Sequence, residues 1–196
     1  MGLAMLIVAA AGGGSAASGA PEKSLRLQVY EPTADTHVTA ERPRTNFGRS
    51  PRLRVDGTPE ANAYVRFRLR KRAGEIVSVT LLLHSRSSAR ASFAVRRATG
   101  RPWDERRLTY ATAPKCSLRY ASARVERHGM WTAIDVTSFV DAGDREVSLA
   151  ITTRGSRELS FGSRESREAP RLVVRVAQDD GAENQLLDSL RRRYPD

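Results

Sequence analysis

Apolar and polar residues alternate with a period of two along most of the chain. Leucine and valine occupy every second position from Leu25 to Tyr30, and valine, phenylalanine and leucine do so from Tyr64 to Leu69. Such alternation is typical of β-strands that bury one face and expose the other. Further segments with strand patterns are Ile76–His84, Ser92–Arg97, Arg119–Val125, Trp131–Val136, Val147–Thr153, Glu158–Gly162 and Arg171–Val176. Short strands separated by Gly, Pro, Asp and Ser turns predict an all-β fold, an antiparallel β-sandwich or barrel.

A long loop separates two of the early strands. The first strand ends at Val38, and the next, from Leu53 to Val55, is closed by an Asp56-Gly57 turn. The residues between them are rich in Pro, Gly, Asn and Ser. Loops of this length inside compact domains are uncommon and are usually functional. We therefore expect this loop either to shape a ligand or ion site or to cap one end of the sandwich.

Both ends of the chain differ in composition from the segment between them. Residues 1–20 resemble a signal peptide, with an apolar region from Leu3 to Ala11 and small residues after it, although a basic start is missing. This pattern favours export over a disordered cytosolic leader, and the apolar run is too short to span a bilayer. Residues 178–196 place three leucines on one helical face, which predicts a short C-terminal helix. The predicted domain is therefore 24–177.

The formal net charge of the 196-residue chain is +11, and arginine supplies almost all of it. This charge favours acidic partners such as polyuronates, sulfated glycans, nucleic acid or anionic lipid. A GC-rich coding sequence raises arginine and alanine together, so a generic basic surface is the alternative. Nucleic acid is not expected, because the sequence has no reading helix, OB-type aromatic platform or RNP-like motif. The single cysteine, Cys116, excludes an internal disulfide and a cysteine-based zinc site.

Two segments carry arginine at alternating positions and predict a basic sheet face. Tyr64, Arg66 and Arg68 share one side of a strand, and Arg52 and Arg54 share one side of the preceding strand. If these strands are neighbours, their guanidinium groups form a stripe that can bind the regularly spaced carboxylates of a polyuronate bidentately. The tyrosine ring can stack on a sugar. The alternative is the ordinary solvated outer face of a sandwich.

Both tryptophans are expected to be core or half-buried residues. Trp131 begins a strand of alternating apolar residues, whereas Trp103 lies in a loop and is the better candidate of the two for an exposed sugar platform. The candidate ligand-binding residues are therefore Arg52, Arg54, Tyr64, Arg66, Arg68 and Trp103.

Oxygen-bearing side chains near strand ends predict a calcium site. Asp35, Asn46 and Asp56, together with Glu165, offer the hard oxygen ligands that calcium takes. No dense DxDxDG loop is present. Asp35 and Asp56 either contribute to such a site or cap turns through hydrogen bonds to the backbone. Calcium is the one candidate cofactor, and none is expected to be required.

Catalytic motifs are absent from the sequence. The three histidines lie on separate elements, and no HExxH, GxSxG, P-loop or dinucleotide fingerprint occurs. The chain is therefore not expected to be an enzyme. A small polysaccharide lyase is the minority alternative, because tyrosine and arginine, which lyases use, are plentiful here.

Four segments together resemble a known family. They are ADTHV with TNFG and LRVDG (34–57), AYVRFRL (63–69), RPWDERRLTYATAP (101–114), and an ending that comprises WTAIDVTSFV, VSLAITT and LSFGSRESREAPRLVVRV (131–176). Their order and spacing are similar to those of DNRLRE-type domains, and the resemblance covers roughly residues 25–176.

This resemblance implies a jelly-roll-like sandwich that acts as a non-catalytic carbohydrate-binding module. Some members of the family bind acidic polysaccharides, and calcium is common at the edges of similar secreted sandwiches. We therefore expect a secreted or cell-surface monomer that binds an acidic polysaccharide such as a polyuronate. The alternative is a structural cell-surface or extracellular-matrix domain without a specific glycan site.

Overall fold

The computed structural model describes residues 24–70, 74–100, 102–178 and 193. Residues 24–178 form one compact unit, and residues 1–23 and 179–196, apart from Arg193, lie outside the described residues. The predicted leader and C-terminal helix therefore fall outside the described part of the chain. Among the described residues, no helix combines the length and the apolar character that crossing a membrane requires.

The described unit is built from β-strands and two short 3-10 turns. In chain order the strands are β1 Ser24–Tyr30, β2 Pro32–Thr39, β3 Arg52–Gly57, β4 Glu60–Arg68, β5 Glu75–His84, β6 Ala91–Thr99, β7 Lys115–Cys116, β8 Ala121–Val125, β9 Trp131–Asp135, β10 Glu146–Thr152, β11 Leu159–Gly162 and β12 Arg171–Gln178. The 3-10 turns are Tyr110–Thr112 and Thr137–Phe139. The predicted all-β class is confirmed.

The strands form two antiparallel sheets that share one apolar core. The small sheet has the order β1-β12-β5-β9, and the large sheet has the order β11-β3-β4-β10-β6-β7, with β2 beside β4 and β8 beside β6. Alternate residues of both sheets point inward and are fully buried, among them Phe67, Leu81, Leu149, Phe161 and Leu172. Burial of such side chains contributes roughly 1.5–3 kcal/mol each, which makes this layer the main source of stability. The predicted antiparallel β-sandwich is confirmed.

A second apolar cluster covers part of the outer face of the large sheet. Tyr64 of β4 and Ala150 of β10 pack there against Trp103 and Leu108. The rings of Tyr64 and Trp103 meet edge to face, with centroids 6.3 Å apart. The connection between β6 and β7, which carries Trp103 and Leu108, is therefore fixed onto the sheet rather than free in solvent.

The long loop between β2 and β3 packs against the same connection. The side-chain amide of Asn46 donates hydrogen bonds to the carbonyls of Glu105 at 2.8 Å and Leu108 at 2.7 Å. The backbone N–H of Ala111 donates to the carbonyl of Pro43 at 3.0 Å. These hydrogen bonds give the three carbonyls partners within the domain. The loop thereby holds Glu105 in a defined position.

Candidate functional site

The two arginine-bearing strands diverge after their shared turn. Within the described residues, β3 pairs with β4 only through the two residue pairs next to the turn. Beyond it, Arg52 and Arg54 lie opposite residues of β11, whereas Arg66 and Arg68 lie opposite residues of β10. The four arginines are not brought together in a single stripe.

Arg54 is neutralised by the domain's own carboxylates. Its guanidinium lies 2.8 Å from Glu158 and 3.4 Å from Asp56, with Glu41 a third partner at 3.5 Å. A glycan carboxylate would have to displace these groups to bind Arg54. Arg52 and Arg68 are exposed and remain accessible members of the predicted set.

Arg66, Tyr64 and Trp103 belong to the packed outer cluster. Arg66 donates to the carbonyl of Trp103 at 2.7 Å, and its guanidinium lies 5.0 Å from the centre of the indole. Glu146 approaches it at 3.8 Å. Tyr64 and Trp103 are almost fully buried, so neither ring offers a face to a sugar. The structure thus uses these three residues to hold the 102–114 connection on the sheet.

A groove runs across the outer face of the large sheet beside this cluster. It consists of two cavities of about 510 and 570 Å³ that share Arg96, Thr152, Thr153 and Arg154 in their walls. Part of its floor is made of the small side chains of Ser122, Ala94 and Thr152, which lie opposite one another on three adjacent strands. Small residues on this face of the sheet leave room for an extended ligand above them.

An exposed aromatic residue stands on one wall of the groove. Tyr120 is 57% exposed, and the guanidinium of Arg96 lies 4.9 Å from its ring centre. The same guanidinium donates to the carbonyls of Ser117 and Leu118, each at 2.9 Å. These bonds fix the arginine, and a cation held over the ring orients the tyrosine. Tyr120 is therefore a positioned platform with an exposed surface.

Two arginines that form no ion pair with a described residue line the same groove. Arg154 and Arg157 follow β10 in a turn that forms part of its wall, and both are exposed. Within the described residues neither forms an ion pair, unlike Arg54. The turn is held close to the sheet because the N–H of Gly57 donates to the carbonyl of Gly155 at 3.1 Å. The groove therefore combines an aromatic platform with accessible guanidinium groups.

Three carboxylates meet on another part of the domain, beside β2. Asp35 of β2, Glu105 of the 102–114 connection and Glu165 of the turn after β11 each offer an oxygen, all within 4.8 Å of one another. Asp35 is only 1% exposed, whereas Glu165 is exposed. The cluster is therefore buried at one side and open to solvent at the other.

Hydrogen bonds from backbone and side-chain donors set the geometry of this cluster. The N–H of Asp35 donates to Glu105 Oε1 at 2.8 Å, and the N–H of Arg164 donates to Asp35 Oδ2 at 2.7 Å. The guanidinium of Arg164 donates to both oxygens of Glu105, and Ser163 Oγ donates to Glu165 Oε2 at 3.1 Å. Each carboxylate is thus held by at least one fixed donor.

The surroundings of Asp35 disfavour the ionised form of its carboxyl group. Burial is the largest influence and raises the pKa of Asp35 to about 8, partly opposed by the hydrogen bond from the Arg164 N–H. The charges of Glu165 and Glu105 raise the pKa further, and the charge of Arg164 lowers it. Desolvation and like charges both disfavour the ionised carboxylate.

The other two residues of the predicted calcium set serve local structure. The side-chain amide of Asn46 binds the backbone carbonyls of Glu105 and Leu108, and its Oδ1 accepts the N–H of Gly48 at 3.2 Å. Asp56 accepts the N–H of Thr58 at 3.2 Å, which is the turn-capping role considered from the sequence. Of the oxygen ligands singled out in the sequence, Asp35 and Glu165 are brought together, and Glu105 was missed.

The chain was compared with families of known proteins. Residues 27–176 match carbohydrate-binding module family 96. No match is found among curated proteins. The resemblance to DNRLRE-type domains stays a sequence-based prediction.

Proposed function

The chain belongs to carbohydrate-binding module family 96, and from this premise we propose that its groove binds an acidic polysaccharide such as a polyuronate. One observation carries the proposal: Tyr120 stands exposed beside Arg154 and Arg157, whose charges are unpaired within the described residues. The family accounts for carbohydrate as the ligand, and the arginines account for its acidic character.

The chemistry of the groove suits a charged sugar chain. A sugar ring stacked on Tyr120 buries apolar C–H surface while its hydroxyls stay hydrated. A carboxylate within reach of Arg154 or Arg157 can accept two parallel N–H bonds from one guanidinium, a geometry that a neutral sugar cannot supply. Charge-assisted hydrogen bonds contribute about 1.5–3 kcal/mol. We therefore expect uronate chains to bind more tightly than neutral chains of similar length.

We propose that the module acts outside the cell and performs no chemistry itself. Export is supported by the signal-peptide-like pattern of residues 1–20. Two tyrosines that a lyase could recruit are poorly suited to act as a base: burial raises the pKa of Tyr64, and a hydrogen bond to Glu60 raises that of Tyr110. A catalytic base needs a pKa close to the working pH. The raised pKa values of Tyr64 and Tyr110 therefore favour a module that binds the polysaccharide without cleaving it.

Affinity electrophoresis of the full chain tests the proposal. Gels that contain alginate, pectate, a neutral glucan or no polymer are run at low and at high salt, because screening removes non-specific ion exchange. We expect one polyuronate to retard the protein at moderate salt and the neutral glucan to have little effect. Equal retardation by every polyanion that disappears with salt would instead favour a structural surface domain with generic charge.

Removing the aromatic platform gives a second test. We expect Tyr120→Ala to weaken polyuronate binding about tenfold, which corresponds to about 1.4 kcal/mol of lost stacking. Trp131→Ala is the matched control, because Trp131 is 40% exposed on the small sheet and also has an arginine, Arg171, over its ring at 5.2 Å. Titration calorimetry should therefore give a dissociation constant about ten times the wild-type value for Tyr120→Ala and a value close to the wild type for Trp131→Ala. If Tyr120→Ala bound the polyuronate as tightly as the wild type, Tyr120 would not be part of the binding site.

A further inference from the structure

We propose that Asp35, Glu105 and Glu165 bind a calcium ion that joins three separate parts of the sandwich. The three residues come from β2, from the connection between β6 and β7, and from the turn after β11. An ion at this point would hold together segments that are far apart in sequence. The proposal is independent of glycan binding.

A buried oxygen without a partner points to a ligand here. Asp35 is 1% exposed, and its Oδ2 accepts the N–H of Arg164. Its Oδ1 is buried and has no hydrogen-bond partner among the described residues. A buried acceptor without a partner is destabilising, and more so when it is charged, so native structures seldom leave one unsatisfied. A bound cation would satisfy Oδ1.

The charges of the cluster match a divalent ion. Three carboxylates face one another, and the ion pairs that they form within the described part of the chain go to Arg164, at 3.1 Å from Glu105 and 3.7 Å from Glu165. One guanidinium compensates one of the three negative charges when all are ionised. A divalent cation would compensate the remaining two.

The type and number of the donors favour calcium over other metals. All three donors are carboxylate oxygens, which suit calcium, magnesium or manganese rather than zinc or copper. The donor atoms lie within 4.8 Å of one another. Calcium takes about 6–8 oxygen ligands and accepts several carboxylates directly, whereas magnesium usually keeps several waters and is held through one or two carboxylates, so three converging carboxylates favour calcium. Exposure of Glu165 leaves room for the water ligands that complete a calcium shell.

Thermal unfolding of the full chain, stripped of metal with EDTA and dialysed, tests this site without any polysaccharide. A ligand that binds only the native state raises Tm, and calcium at about a hundred times its Kd should raise it by roughly 5–10 °C. We expect Glu165→Gln to abolish the rise while leaving the metal-free Tm close to that of the wild type. Asp35→Asn, which keeps an acceptor for the Arg164 N–H, should abolish the rise as well.

Glu168→Gln is the matched control, because Glu168 lies in the same turn but pairs with Arg86 at 3.9 Å outside the cluster. This variant should keep the full calcium response. The proposal is overturned if the wild-type Tm does not change up to about 10 mM calcium, above the Kd of even weak extracellular calcium modules. The proposal is also overturned if calcium raises the Tm of Glu165→Gln and Asp35→Asn by as much as it raises that of the wild type. A rise in the wild-type Tm with magnesium as large as the rise with calcium would overturn it as well.

Discussion

Replacing Trp103 by alanine is expected to lower the free energy of unfolding by about 3–5 kcal/mol, the usual cost of removing a buried indole. Trp103 is 7% exposed and packs against Tyr64, Leu108 and Ala150 in the outer cluster. Its ring also carries the guanidinium of Arg66 at 5.0 Å. Loss of the indole leaves a cavity between the sheet and its covering connection. Chemical denaturation followed by circular dichroism measures the change, and Tm should fall by roughly 10 °C or more.

Trp131→Ala provides the comparison, since Trp131 is partly exposed and its loss should cost only about 1 kcal/mol. Polysaccharide affinity, measured at a temperature at which both variants are folded, distinguishes a packing role of Trp103 from a role in sugar binding. A packing role lowers stability and leaves the affinity of the folded fraction nearly unchanged. If Trp103→Ala unfolded like the wild type and bound polysaccharide weakly, the indole would be the sugar platform that its loop position suggested.

Gly48→Ala is expected to destabilise the domain by about 1–3 kcal/mol through a backbone collision. A Cβ at position 48 would lie 2.2 Å from the carbonyl oxygen of Glu105 and 2.9 Å from its carbonyl carbon. Relief requires the long loop to move away from the connection that Asn46 bridges. Thermal melting and urea denaturation should both report the loss.

Gly143→Ala is the matched control for this substitution. A Cβ at Gly143 would meet no described atom within 4 Å. Alanine there should be neutral or slightly stabilising, because it reduces the entropy of the unfolded chain. Equal stability of the Gly48→Ala and Gly143→Ala proteins would contradict the close packing of the loop on Glu105.

The period-two pattern was sufficient to predict the sandwich but not which face of each strand is buried. In β4 the alternation is correct, since Val65 and Phe67 lie in the core. In β1 it misleads, because Leu25 and Leu27 are more than half exposed. Alternation shows which residues share a face, and the neighbouring sheet decides whether that face is covered. β1 is an edge strand of the small sheet, and its leucines face away from the core.

The candidate sites depend on contacts between segments that are distant in the sequence. Tyr120 and Arg154 lie in separate segments of the chain, and their approach follows from the pairing of β6 with both β8 and β10. Arg54 was a reasonable candidate until strand order placed Glu158 beside it. Glu105 carries no local metal motif and reaches Asp35 because its connection is packed on the sheet and is held there by Asn46. Residue types indicated the chemistry, and topology determined which residues supply it.

The most direct test of the proposed site compares two double variants that remove the same formal charge. Arg154→Ala/Arg157→Ala removes two arginines from the wall of the groove. Arg52→Ala/Arg68→Ala removes two exposed arginines from β3 and β4, the strands that the sequence predicted to bind the polysaccharide. We expect the first pair to weaken polyuronate binding at moderate salt by about tenfold or more, and the second by less than about twofold. Equal losses in the two proteins, or a larger loss in the second, would contradict the groove as the binding site.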